Sequence, residues 1–139
     1  MFLLFENLNK HFAGQLKGKN IALWGLSFKP NTDDMRDAPS RVLMELLWAA
    51  GAKVQAFDPV AMEETQHIYG QSSKLTLAGT KEAALHNADV LVIVTEWRAF
   101  KTPDFELIKS SLKSPVIFDG RNLFDPKAMR ERGFTYYAI

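Results

Sequence analysis

The chain has 139 residues and a formal net charge of +1, which excludes the strong positive field that binding to nucleic acid or to an anionic membrane requires. Apolar residues make up 47% of the sequence, so the composition is that of one globular domain and not of a disordered chain. The absence of cysteine excludes disulfides, Cys-based zinc sites and a thiol nucleophile, and the histidines (His11, His67 and His86) lack the spacing of metal ligands, so no metal site is expected.

The first residues predict a helix with one apolar face. Phe5, Leu8, Phe12 and Leu16 recur at helical spacing. The apolar run at the start is too short for a signal peptide or a membrane span, so we expect a soluble protein of the cytoplasm. The apolar face needs a covering surface, which this domain, a second chain or a neighbouring domain would supply.

Strands and helices alternate along the rest of the chain. Strands are predicted over about 20–25, 53–57, 75–77, 90–94, 116–118 and 134–137. Helices are predicted over about 40–50, 61–69 and 80–86, and two more open at Thr102-Pro103 and at Asp125-Pro126. This alternation implies a Rossmann-like, doubly wound, mostly parallel α/β sheet of about six strands, with helices on both faces and one helix before it.

The ends of the helix over 40–50 carry capping signals. Asp37 is expected to cap its first turn, and Pro39 suits the first helical positions. Gly51 suits the position that follows the last turn.

Three strand exits carry side chains that suit a phosphorylated ligand. The exit of the first strand is a loop of about a dozen residues, where such turns usually take only a few, and it carries Lys29 and Arg36. The exits of the fourth and fifth predicted strands in the sheet carry Trp97 and Arg121. Ligands bind open α/β sheets at this edge, so we expect these four side chains to line one crevice that binds phosphate and a flat base.

Each of these side chains also has an ordinary structural interpretation. Lys29 is then a solvated cation, and Arg36 pairs with a carboxylate of its own loop, over 33–37. Trp97 packs at the rim of the sheet, and Arg121 belongs to a plain turn. Spacing alone does not decide between the two interpretations.

The first exit lacks the glycine pattern of a dinucleotide site. That pattern would place glycine at 25, 27 and 30, whereas this chain has Gly25, Ser27 and Pro30. Asp58, at the end of the second strand, resembles the acidic ribose ligand of an NAD site, but it lies further along the chain than the usual spacing of about twenty residues. The residues by themselves predict a Rossmann-like domain that binds an anionic ligand and lacks a complete NAD site.

Taken together, these motifs resemble the C-terminal domain of the UDP-glucose/GDP-mannose dehydrogenase family. Residues 25–40 resemble the family loop Gly-Leu-x-Phe-Lys-x-x-Thr-Asp-Asp-x-Arg-x-x-Pro-Ser. Residues 95–97 (Thr-Glu-Trp), 119–122 (Asp-Gly-Arg-Asn) and 58–59 (Asp-Pro) also fit. The resemblance covers about residues 17–137, in order and without large gaps.

The resemblance implies specific roles for residues of this chain. Phe28, Lys29 and Arg121 would bind the UDP-sugar, and Arg36 would reach across the cleft to NAD. Residues 1–17 would be the tail of the central helical dimerisation domain, and residues 18–139 the nucleotide-sugar-binding domain.

The resemblance also implies what the chain does not supply. Members of the family oxidise the C6 hydroxyl of UDP-glucose to a carboxylate in two steps with two NAD⁺, and the full-length enzymes form homo-oligomers. NAD would be bound mainly by domains absent from this chain, and the catalytic cysteine with its Lys and Asp helpers belongs to those domains. The chain would then hold no catalytic residue and would not turn over substrate alone.

Two other interpretations stay open. The chain could belong to a related enzyme that oxidises GDP-mannose or a UDP-N-acetylhexosamine. It could also be a non-enzymatic nucleotide- or CoA-binding Rossmann-like module, which would explain the incomplete glycine pattern and the missing nucleophile equally well.

Overall fold

Residues 2–138 are described by a computed structural model. The strands are β1 (Asn20–Trp24), β2 (Lys53–Phe57), β3 (Leu75–Leu77), β4 (Val90–Ile93), β5 (Val116–Asp119) and β6 (Thr135–Ala138). The α-helices are α1 (Phe2–His11), α2 (Pro39–Ala49), α3 (Met62–Tyr69), α4 (Phe105–Ser111) and α5 (Pro126–Glu131). Two 3₁₀ helices, Ala83–Leu85 and Arg98–Phe100, precede and follow β4.

The strands form one parallel, six-stranded sheet in the order β3-β2-β1-β4-β5-β6, which confirms the predicted fold class. The order reverses between β1 and β4, so that Trp24 at the end of β1 lies between Phe57 of β2 and Ile93 of β4. All residues of β4 and β5 are buried, as a continuous aliphatic run in a central parallel strand requires.

The sheet separates two apolar cores, because successive side chains of a strand point to opposite faces. Ile21 and Leu23 of β1 belong to the core that α1, α2 and α3 cover. Ala22 and Trp24 belong to the core that the 3₁₀ helices, α4 and α5 cover. The strand exits described below therefore stand on a sheet that is packed on both sides.

The apolar face of α1 packs against this domain, in contact with α2. Leu4 and Leu8 of α1 are buried in the first core, and Phe5 is partly buried against it. Phe12 and Leu16, which the helical spacing includes, follow the end of the helix at His11 and pack on the same core. Of the three surfaces considered for this face, the structure shows the domain itself as the cover. Phe2 and Leu3, at the start of α1, are large apolar side chains that stay more than half exposed.

Three local predictions were wrong. Asp37 does not cap α2: the residue before the helix is Ala38, which makes no side-chain cap hydrogen bond, while Asp37 takes a left-handed backbone conformation with φ 53°. Helix α4 begins at Phe105 and not at Thr102-Pro103, because Asp104 provides the cap by accepting from the Leu107 N–H at 3.1 Å.

The helix predicted over 80–86 is a single 3₁₀ turn, Ala83–Leu85. The predicted start of the last helix is confirmed, because the Asp125 carboxylate accepts from the Ala128 N–H at 2.9 Å.

Candidate functional site

The predicted ligand residues lie at one edge of the sheet, where β1, β4 and β5 end side by side. Phe28 and Lys29 follow β1, Trp97 follows β4 and Arg121 follows β5. This edge contains the reversal of strand order, which is where open α/β sheets bind ligands.

Asp58 is the buried centre of this edge. Its side chain is fully buried, and each carboxylate oxygen accepts from several N–H groups. One oxygen accepts from the backbone N–H groups of Leu26 at 2.8 Å and Ser27 at 3.0 Å, and from the indole N–H of Trp97 at 3.2 Å. The other accepts from the N–H groups of Val60 and Ala61, both at 2.9 Å, at the start of α3. One carboxylate thus joins the exits of β1, β2 and β4.

A close backbone approach also joins the exits of β1 and β4. The Thr95 hydroxyl donates to the Ser27 carbonyl at 2.9 Å. Gly25 has φ +102°, and a Cβ at this position would lie 2.6 Å from the Thr95 Cβ and 2.7 Å from the Thr95 nitrogen. Glycine is required at 25 because a side chain would need both an unfavourable φ and space that Thr95 fills.

The long loop after β1 is folded on itself. The Ser40 hydroxyl at the start of α2 donates to the Leu26 carbonyl at 2.5 Å, and the Phe28 N–H donates to the Asp34 carbonyl at 2.8 Å. The Ser27 hydroxyl donates to the Lys29 carbonyl at 2.8 Å. These hydrogen bonds pair backbone groups of the loop that no strand or helix would pair.

The tip of this loop presents Phe28 and Lys29 to solvent. The Phe28 ring is 43% exposed, and the Lys29 ammonium lies 5.6 Å from its centroid. An exposed aromatic ring beside a free ammonium offers one apolar and one cationic contact to a ligand.

Arg36 pairs with a carboxylate of its own loop, as the ordinary structural interpretation of this residue predicts. Its guanidinium makes two hydrogen bonds of 3.0 Å to the Asp34 carboxylate, and these bonds hold the Asp34 pKa below its ordinary value. The Arg36 side chain is 88% exposed and lines a cavity of about 560 Å³ between the loop and α3. Lys29 and Arg121 do not line this cavity, so Arg36 faces a different space from the one expected for a single crevice.

Arg121 is held by groups from two strand exits. Its guanidinium forms an ion pair with Glu96, which follows β4, and its backbone N–H donates to Asp119 at 2.9 Å. Asp119 is fully buried and also accepts from the Leu123 N–H at 2.7 Å and from the Tyr136 hydroxyl at 2.5 Å. Burial, followed by the hydrogen bond to Asp119, raises the Tyr136 pKa well above its ordinary value. Glu96 and Tyr136 were not predicted as partners of this turn, because they follow or belong to other strands and no spacing links them to it.

Trp97 is a packing residue. It is 8% exposed, belongs to the second core and donates its indole N–H to Asp58. The interpretation that places Trp97 at the rim of the sheet therefore fits the structure, and the aromatic ring exposed at this edge is that of Phe28.

The residues of this chain do not fit an NAD site of the Rossmann type. Helix α2 begins only at Pro39, after a long loop that follows Trp24 at the end of β1, so a tight glycine turn does not join the strand to the helix. Asp58 occupies the position of the ribose ligand, but both its oxygens are engaged by N–H groups of the chain itself.

Residues 2–138 contain no group of three or more His, Cys, Asp or Glu side chains that could hold a metal ion. No helix in this range is long and apolar enough to cross a membrane.

Comparison with protein families identifies the domain. Residues 22–126 match the UDP-glucose/GDP-mannose dehydrogenase family, UDP binding domain. The UDP-glucose 6-dehydrogenase of Pseudomonas aeruginosa is 48% identical over 140 residues, which cover 99% of this chain and 31% of that protein. The chain spans about a third of the length of the curated relatives it matches.

Solved structures show the same likeness. A UDP-glucose dehydrogenase from Pyrobaculum islandicum matches with a TM-score of 0.77 and 29% identity, over 98% of this chain and 28% of that chain. The NDP-N-acetyl-D-galactosaminuronic acid dehydrogenase from Methanosarcina mazei Go1 matches with a TM-score of 0.79 and 26% identity, over 99% of this chain and 28% of that chain.

Proposed function

This chain belongs to the UDP-glucose/GDP-mannose dehydrogenase family, in which it is the UDP-binding domain, and from that premise we propose that it forms the substrate-binding part of a UDP-glucose 6-dehydrogenase. Phe28, Lys29 and Arg121 bind the UDP moiety at the carboxyl edge of β1, β4 and β5. The observation that carries this proposal is the placement of two cationic side chains on exits that flank the reversal of strand order.

The chemistry of these side chains suits a nucleoside diphosphate. Arg121 offers a fork of N–H donors to phosphate oxygens, and Lys29 offers a mobile point charge. The exposed Phe28 ring supplies an apolar surface beside the ammonium, where a sugar or a base can pack. A ligand phosphate would compete with Glu96 for the Arg121 guanidinium.

The rest of the reaction depends on parts of the enzyme outside this chain. We place the oxidation of UDP-glucose to UDP-glucuronate, with two NAD⁺, in a cytoplasmic homo-oligomer whose other domains supply the nucleophile and most of the NAD site. Arg36 is the residue of this domain that contacts NAD. Its exposure, and its position on a cavity that Lys29 and Arg121 do not line, support this role. Residues 1–17 are the tail of the central helical domain, and residues 18–139 form the UDP-binding domain.

Calorimetric titration of the 139-residue chain tests this proposal. UDP and UDP-glucose should bind with similar, weak affinity, because the sugar is recognised mostly by the other domains, and GDP-mannose and CoA should bind more weakly. Binding of CoA alone would contradict the proposal and support a non-enzymatic module. The chain mixed with NAD⁺ and UDP-glucose should form no NADH, and NADH formation would contradict the assignment of the nucleophile to another domain.

One related activity is the second candidate. The likeness to the NDP-N-acetyl-D-galactosaminuronic acid dehydrogenase, with a TM-score of 0.79, keeps an N-acetylhexosamine substrate open. A full-length enzyme that oxidises a UDP-N-acetylhexosamine and not UDP-glucose would establish this alternative and would leave the UDP site of this domain unchanged.

A further inference from the structure

Asp58 makes more hydrogen bonds than the turn it belongs to requires. A carboxylate that begins a turn needs one oxygen to accept from the N–H groups of that turn, and Asp58 does this through Val60 and Ala61, which precede α3. Its second oxygen serves no group of that turn. It accepts from Leu26 and Ser27 of the first exit and from Trp97 of the fourth.

A buried carboxylate is costly unless hydrogen bonds stabilise its charge. Asp58 is fully buried, and the five N–H groups that stabilise it are all neutral. Three of these groups come from segments far from Asp58 in the sequence, so the charge is fully stabilised only when the exits of β1, β2 and β4 are in place together. The carboxylate therefore sets the relative position of the exits.

The two segments that Asp58 joins lead directly to the proposed UDP ligands. Ser27 precedes Phe28 and Lys29, and its hydroxyl donates to the Lys29 carbonyl at 2.8 Å. Trp97 follows Glu96, which pairs with Arg121 on the next exit. Contacts thus run from Lys29 through Ser27, Asp58, Trp97 and Glu96 to Arg121.

We propose that Asp58 is a positioning residue of the UDP site, which holds the β1 and β4 exits so that Lys29 and Arg121 face the same ligand. This inference rests on the proposed function for the identity of the ligand. Asp58 does not touch the ligand, because both its oxygens are engaged within the protein. The position that binds ribose in an NAD-binding Rossmann domain here organises the site for a different nucleotide.

The Trp97→Phe variant separates positioning from packing. It keeps an aromatic ring and removes the indole N–H that joins the fourth exit to Asp58. Trp48→Phe is the matched control, because it removes an indole N–H bond of 3.0 Å to the Lys74 carbonyl at a different part of the fold. We expect Trp97→Phe to weaken UDP binding by up to about tenfold, because part of the binding free energy must then be used to order the β4 exit. Trp48→Phe should bind UDP as the wild type does.

Asp58→Asn is the second variant, since it keeps the shape of the side chain, removes the charge and replaces one of the two accepting oxygens by an NH2 donor. In ¹H–¹⁵N spectra without ligand, it should shift the Trp97 indole signal, the Ser27 and Lys29 amide signals and the Arg121 Nε–H signal. The indole signals of Trp24 and Trp48 should stay in place. The Ser27 amide and the Trp97 indole donate to Asp58 directly, so they shift whatever its role. The Lys29 amide and the Arg121 Nε–H do not contact Asp58, and a merely stabilising role would leave these two signals unchanged in the folded variant.

The outcomes are distinct. Wild-type UDP affinity in folded Trp97→Phe would overturn the proposal, and so would unmoved Lys29 amide and Arg121 Nε signals in folded Asp58→Asn. Loss of folded structure in both variants would assign Asp58 to stability alone and would also overturn it. If the wild-type chain binds no UDP, the proposed function fails, and the spectra without ligand still decide whether Asp58 positions the exits.

Discussion

Two buried aspartates, Asp58 and Asp119, end strands of the same sheet and hold their neighbours in different ways. Both accept from backbone N–H groups that follow them and from one aromatic side chain, Trp97 for Asp58 and Tyr136 for Asp119. Asp58 joins three strand exits, whereas Asp119 serves its own turn and β6. The β1 exit thus depends on contacts with the exits of β2 and β4, whereas Asp119 connects the β5 exit to its own turn and to β6.

The largest expected effect comes from the close approach at the first exit. Gly25→Ala places a Cβ 2.6 Å from Thr95 at φ +102°, so we expect a loss of about 3 kcal/mol or more in the free energy of unfolding. Gly14→Ala is the control, because Gly14 has φ +77° and nothing within 4 Å of the added Cβ, and it should cost only about 1–2 kcal/mol. Urea denaturation measures both. Equal losses would show that the first exit does not depend on its contact with Thr95.

A smaller loss is expected at the fifth exit. Tyr136→Phe removes the hydroxyl that donates to Asp119 at 2.5 Å and leaves the two backbone donors in place, so the free energy of unfolding should fall by about 1.5–3 kcal/mol. Tyr69→Phe removes a half-buried hydroxyl that donates to Glu45 at 2.8 Å and should cost less. The comparison is wrong if Tyr136→Phe is as stable as the wild type in urea.

Tyr136 also makes the free energy of unfolding depend on pH in the alkaline range. Burial raises the Tyr136 pKa, so the folded protein keeps a proton that the unfolded chain releases near pH 10. This contribution is fully present below pH 10 and is lost as the pH rises, with a slope of at most about 1.4 kcal/mol per unit for this group.

Urea midpoints at several pH values from about 9 upwards measure this slope. The free energy of unfolding of Tyr136→Phe should fall less steeply with pH than that of the wild type. Tyr69→Phe is the control, because it removes another tyrosine whose pKa is raised. Parallel declines in the wild type and Tyr136→Phe would contradict the assignment.

The smallest effect is expected at the ion pair within the loop that follows β1. Asp34 and Arg36 form an exposed pair, so Asp34→Asn should leave the thermal midpoint at neutral pH unchanged. The Asp34 pKa is lowered, so any contribution is present above the ordinary pKa of an aspartate and is lost as the pH falls below it. A clear loss of stability in Asp34→Asn would show that the pair organises the loop.

The sequence predicts the sheet well because its signals are local. The run Val90–Ile93 is aliphatic throughout, as a strand buried on both faces must be, and the structure places it at the centre of the sheet. The start of α4 was misplaced because Thr102-Pro103 and Asp104 are both good helix starts, and only the folded chain shows that Asp104 accepts from Leu107.

The candidate site is harder to predict because its contacts join distant residues. The positions of Lys29 and Arg121 at strand exits follow from the pattern of strands. The hydrogen bonding of Asp58 does not follow from that pattern. Its N–H donors lie at positions 26, 27, 60, 61 and 97, and no sequence spacing links these positions. An aspartate at the end of β2 suggests a ribose ligand until the structure shows that its oxygens are already engaged.

Calorimetric titration of Arg121→Ala with UDP tests most directly whether cations from separate strands bind one diphosphate. Arg130→Ala is the matched control, because Arg130 is an exposed arginine near the end of α5. We expect Arg121→Ala to lose most of the UDP affinity, by about tenfold or more, and Arg130→Ala to bind as the wild type does. Equal affinity of Arg121→Ala and the wild type would contradict the account.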